Sequence, residues 1–228
     1  MTTNTERYGG AALILGVERQ RVLRNTYALL ALSMIPTVLG AWIGVATGIT
    51  SLMSPVMSLI VFMVGAYGLM FAIQRNSNSG VGVTLLLGFT FFMGLMLSRL
   101  LGFVLSMSNG TSLVMMAFAG TSAAFFAMAM LSTVIKRDLS GLGQFLFIGV
   151  IGILVVGIIN VFVQSGALMM TLAVLATLVF SAFILVDLKR VRDGEETNYV
   201  MATLGVYLSL YNVFQSLLAM FGILGGED

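Results

Sequence analysis

The chain has 228 residues, of which 59% are hydrophobic and only 9% charged, and its eleven Lys and Arg against nine Asp and Glu leave a net charge of +2. An ordinary soluble domain carries about 25% charged residues, so this much apolar surface suits a lipid bilayer and not a water-soluble core, and the small positive balance is no nucleic-acid footprint. There is neither cysteine nor histidine, which removes disulfides, thiolate sites, imidazole catalysis and the usual zinc sites.

Residues 1–24 are polar and mixed and hold Arg7, Arg19, Arg21 and Arg24. The patch AALILGV at 11–17 is too short to cross a membrane, since a crossing needs ~20 apolar residues. It fits a short amphipathic surface helix or part of a loosely ordered tail equally well. The first long apolar run begins only near Tyr27, beyond the polar start of a usual signal peptide, so the tail is expected to stay attached.

Seven apolar runs follow, at 26–46, 55–73, 81–105, 112–135, 145–163, 167–186 and 200–224. Each approaches the length that a hydrocarbon core of ~30 Å demands. Lipid offers no partner to a free backbone N–H or C=O, so the runs are helices. The expected architecture is an all-α integral membrane protein of seven transmembrane helices. A cytoplasmic tail at 1–24 precedes a single transmembrane domain at 25–228.

The first run contains Gly40 and Gly44, with Gly48 one step beyond it, and the fourth contains Gly120 and Ala124. Small residues four apart let two helix backbones approach closely. Pro36 is expected to kink the first helix. Pro55 behind Ser54 reads as a first-turn proline after a capping serine.

With the N-terminus inside, the inner loops and tail hold every Lys and Arg except Arg99, which lies within the third run. Positive charge concentrates on the cytoplasmic side of membrane proteins, so this asymmetry fixes the orientation. Seven crossings then place Glu227 and Asp228 outside.

No nucleophile elbow, phosphate loop or metalloprotease helix is present, and no enzymatic activity or cofactor is expected. Polar residues within the spans are the candidates for function. Asp187 closes the sixth run and is followed by Lys189, Arg190 and Arg192. It either faces the bundle, where it can sense pH or bind a cation, or sits among the headgroups paired with Arg190. Arg99 either snorkels to the outer headgroups or pairs with a buried polar group. Ser209 and Asn212 share a face of the last run, as interhelical contacts or a transport site. Asn198 is placed to cap that helix.

The pieces VLRNTY (22–27), GFTFFMG (88–94), KRDLSGLG (136–143), GEETNYVMAT (194–203) and YLSLYNVF (207–214) together resemble the signatures of the Bax inhibitor-1 family, within it the bacterial YccA-like branch. That resemblance implies a fold with the last helix central and six others around it. It implies association with the inner-membrane AAA protease FtsH and its HflK/HflC scaffold, as a slow substrate engaged by the tail that bears Arg7, Arg19 and Arg21. The wider family implies an alternative, a pH-sensitive calcium leak sensed by an aspartate pair. Asp187 matches the first member of that pair. The second position is Ser209, a departure because a hydroxyl does not ionise in this range. Arg75 is the nearest match to the arginine that latches such a sensor.

Overall fold

The computed structural model describes the backbone of residues 4–225 and the side chains from residue 16 onward. Arg7, Glu227 and Asp228 therefore lie outside the described side chains. Seven helices make up the described residues: α1 (Asn4–Thr47), α2 (Pro55–Asn76), α3 (Gly80–Leu105), α4 (Gly110–Val134), α5 (Ser140–Val163), α6 (Gly166–Asp193) and α7 (Tyr199–Gly225). All seven are long and apolar enough to cross a membrane. Two differ in extent from the apolar runs. Helix α1 begins some twenty residues before the first run, so the polar segment belongs to the same helix as the first span. Helix α6 continues beyond Val186 to Asp193, which puts Asp187 inside a helix.

Local signals explain the ends. Ser54 is extended and its hydroxyl accepts the Met57 N–H at 3.2 Å, with Pro55 in the first turn. Asn198 Oδ1 accepts the N–H groups of Val200 (2.9 Å) and Met201 (3.1 Å) at the start of α7. Asp138 accepts the Ser140 N–H (2.8 Å) and hydroxyl (2.9 Å) ahead of α5, and these bonds hold its carboxyl below the usual aspartate range. Helix α1 runs unbroken through Pro36.

Helix α7 is the axis. It packs against α1, α2, α3, α4 and α6 and buries residues on all sides, among them Val200, Leu204, Tyr207, Tyr211, Val213 and Leu218. A helix apolar and buried all round belongs in the middle of a bundle. The sixth helix expected around it stands apart: α5 packs principally on α6. Leu146 is the only buried residue of α5, and its Phe145, Phe147, Ile148, Phe162 and Val163 are exposed.

The closest backbone approach joins α1 to α3. A Cβ on Gly40 would collide with the Phe91 carbonyl, and one on Gly94 with the Thr37 carbonyl. Overpacking of this kind costs roughly 1–3 kcal/mol. Gly44 belongs to the same contact, against Ser98. Gly48 does not: it adopts φ +65° with nothing near its missing Cβ, so it terminates α1 and leaves the small-residue row two members long. On α4, Gly120 faces Leu217 of α7.

Successive helices alternate direction if each crosses the membrane. The turns after α2, α4 and α6 then share one end of the bundle, and those after α1, α3 and α5 share the other. Arg99 fits this, being exposed with Nη1 3.3 Å from Ser58 Oγ and 3.4 Å from the Met53 carbonyl beside the α1–α2 turn. Single cysteines in place of Ser77 and Ser108 should react with a membrane-impermeant maleimide from opposite faces. Reaction of both from the same face would overturn the seven-span arrangement.

Candidate functional site

The polar side chains of α7 divide into two groups. Tyr207 and Tyr211 stack with centroids 6.2 Å apart and point towards α1 and α3. The Tyr207 hydroxyl lies 2.9 Å from Thr37 Oγ1 and 3.4 Å from the Thr90 carbonyl, and the Tyr211 hydroxyl donates to the Met93 carbonyl at 3.2 Å. A buried tyrosine needs a partner for its hydroxyl, and these find theirs on neighbouring helices. They are structural joints.

Ser209 belongs to the other group, facing α6. Its hydroxyl donates to Asp187 Oδ2 at 3.2 Å. Ile184, Leu188 and Val191 on α6 are fully buried, which fixes the rotation of the helix and turns Asp187 towards α7. One turn before Ser209, Gly205 leaves the α7 backbone bare. A Cβ there would stand 3.4 Å from the Asp187 carboxyl carbon. The half-buried carboxylate thus rests on a glycine and accepts from a serine, four residues apart on one face.

A cleft of about 260 Å³ opens beside this contact, lined by Asp187 and Arg190 of α6, Glu196 of the turn, Gly205 and Leu208 of α7, and Met70 of α2. Glu196 Oε1 accepts the Asn198 N–H at 2.8 Å. Asn198 Nδ2 donates to Asn78 Oδ1 at 2.8 Å, which ties the α6–α7 turn to the α2–α3 turn. Two carboxylates and one guanidinium around a mostly apolar cleft can attract a cation. Among the described residues, no group of three or more Asp or Glu side chains could hold a metal ion, and a hard cation such as Ca²⁺ takes about six to eight oxygens.

The structure rearranges several residues singled out in the sequence. Asp187 and Ser209 meet. Asn212 does not join them, because its amide donates to the Leu208 carbonyl of its own helix at 2.8 Å. Arg75 is exposed and outside the cleft, and Arg190 occupies the position near the acid instead. Of the two alternatives for Asp187, the ion pair with Arg190 is not formed: Arg190 Nε lies 3.7 Å from Glu195 Oε2. Lys189, expected in a loop, is a buried residue of α6 whose ammonium pairs with Asp193 one turn on. Arg19 lies across Gly194 at the end of α6, and Arg21 is exposed on α1. Gly205 carries no mark in the sequence, although its spacing from Ser209 places both on one face; Glu196, expected from the sequence near the positive end of α7, lines the cleft.

The contact has a measurable coupling. Ser209→Ala leaves the carboxylate without its α7 donor and should cost about 1–3 kcal/mol of stability. In a double-mutant cycle with Asp187→Ala, read by thermal unfolding in detergent, the two losses should fall short of additivity by roughly 0.5 kcal/mol or more. Additive losses would mean that the pair is not energetically joined.

Residues 19–226 match the family described as "Inhibitor of apoptosis-promoting Bax1". The chain is 37% identical to an Escherichia coli protein named "Modulator of FtsH protease YccA" over 202 residues, covering 89% of this chain and 90% of that one. It is 35% identical to an "Uncharacterized membrane protein" of Vibrio cholerae over 212 residues, 93% of each chain. A Pseudomonas aeruginosa protein with no assigned activity is 35% identical over 207 residues, 91% of each. The match spans all seven helices, and the chain belongs to the Bax inhibitor-1 family of membrane proteins.

Proposed function

We propose that the chain is a multi-pass inner-membrane protein that associates with a membrane AAA protease of the FtsH type and modulates it, without enzymatic activity of its own. The supporting observation is the 37% identity, across about nine-tenths of both chains, to a relative named as a modulator of that protease. The HflK/HflC scaffold is the partner expected to come with FtsH. With the cation-rich end inside, the N-terminus is cytoplasmic and available to the protease, and the C-terminus is periplasmic.

The start of α1 suits the role of handle. The side chains of residues 16–21 are all exposed, and a helix with few packed neighbours is marginal in water. A pulling motor therefore meets little resistance there, whereas the bundle beyond resists extraction. That contrast accounts for a slow substrate that occupies the protease. Deleting residues 3–18 should lengthen the half-life in cells several-fold and weaken co-purification of FtsH, with thermal unfolding of the bundle unchanged. An unaltered half-life would rule the segment out as the handle, and failure to recover FtsH with the full chain would remove the partner.

A second reading rests on the cleft at Asp187: a cation leak, with Ca²⁺ as the candidate ion. With one carboxylate at the α6–α7 contact and Glu196 in the adjoining turn, oxygen ligands are too few for strong calcium binding. Calcium flux into vesicles carrying the protein should be weak and nearly independent of pH. Ser209→Asp should strengthen its pH dependence, and Asp187→Asn in that background should abolish it. A strong flux from the unaltered protein that switches between pH 6 and 8 would put this reading first.

A further inference from the structure

Away from the Asp187 cleft, a groove of about 620 Å³ runs along α1, lined by Val17, Gln20, Arg21, Leu23, Arg24 and Tyr27. Most of these residues recur at three- and four-residue steps and share one side of the helix. The groove lies where α1 passes from polar to apolar sequence. Tyr27 packs edge-on against Phe125 of α4, centroids 6.2 Å apart. The Arg192 guanidinium of α6 donates to Ser132 Oγ of α4 at 3.4 Å. Two guanidiniums, Arg21 and Arg24, line the groove.

Neither Arg21 nor Arg24 has a carboxylate within ion-pair distance among the described residues, although Glu18 stands one turn before Arg21. Arg21 and Arg24 are exposed three residues apart on one side of the helix, and the guanidinium is the side chain best suited to the oxygens of a phosphate diester. The same side of α1 continues upward through Leu32, Ile35, Leu39 and Trp42, at successive steps of three and four residues. All four are exposed, from 46% for Leu32 to 67% for Trp42. A cationic fork that leads directly into an apolar stripe matches a molecule with an anionic head and a hydrocarbon tail.

We infer that this groove seats an anionic phospholipid, with its phosphodiester between Arg21 and Arg24 and an acyl chain along Leu32 and Ile35, which lie within one leaflet's depth of the fork. A soluble phosphate would use the fork and leave the stripe idle. Tyr27 beside the fork is an interfacial aromatic at headgroup depth. The bound lipid would hold the start of α1 against the membrane, independently of any protease.

Native mass spectrometry of the full chain, released from detergent with equal phosphatidylglycerol and phosphatidylcholine, tests this. Phosphatidylglycerol should be retained roughly fivefold over phosphatidylcholine. The double variant Arg21→Gln/Arg24→Gln should bring the two lipids near parity. Lys136→Gln/Arg137→Gln, which removes the same charge from the α4–α5 turn, should leave the preference intact. The inference is overturned if the unaltered protein shows no preference or if both double variants lose it equally. It is also overturned if inorganic phosphate displaces the lipid, which would assign the fork to a soluble anion.

Discussion

A bilayer offers no hydrogen-bond partner, so each polar group within the spans must find one inside the protein. The arrangement of the bundle follows from that constraint. Helix α7 carries the largest set of such groups, with Thr203, Tyr207, Ser209, Tyr211 and Asn212, and it takes the central position. Its tyrosine hydroxyls meet Thr37, Thr90 and Met93 on α1 and α3, and its serine meets Asp187 on α6. Helix α5 has few polar groups and faces outward with a single buried residue. In water the most apolar helix would be the core; here it is among the most exposed.

The tyrosine joints require α1 and α3 to lie close together, and Gly40, Gly44 and Gly94 permit it. With a side chain at Gly94 the Thr37 carbonyl would have to move, and Thr37 also carries the hydroxyl that meets Tyr207. One glycine thus serves both the helix contact and the hydrogen bond behind it. On the opposite side of α7, Gly205 has a milder role, leaving room for a carboxylate and not for a second backbone.

Much of this was legible in the sequence because lipid enforces simple rules. Span length fixed the number of helices, and the caps at Ser54 and Asn198 were readable from residue type and position. The reach of α6 past Val186 was less plain, since Lys189 and Arg190 look like the start of a loop. Burial of Ile184, Leu188 and Val191 keeps that face packed, and Lys189 stays buried because Asp193 is one turn away to neutralise it. Gly48 looked like a third packing residue; its positive φ is a property of the turn that periodicity does not carry. Arg75 and Arg190 could not be ranked by sequence distance, because proximity to Asp187 depends on how α2 and α6 are rotated. Asn212 shared a face with Ser209 on paper, yet bonded its own turn, a choice open to any short amide in a helix.

The cation-rich end is where these separate features meet. The α6–α7 turn forms one wall of the Asp187 cleft through Glu196, and that turn is not free. Asn198 holds it to Asn78 in the α2–α3 turn, and Arg19 of α1 lies across Gly194 where α6 ends. The start of α1 consequently has three parts within about three turns of helix: Arg19 on the turn, Arg21 and Arg24 in the groove, and the exposed segment before them. A force applied to that segment would reach Arg19 before Thr26, the first buried residue among those described in α1, so the turn beside Asp187 would lose a support early. The tail and the cleft are separate in chemistry and adjacent in mechanics.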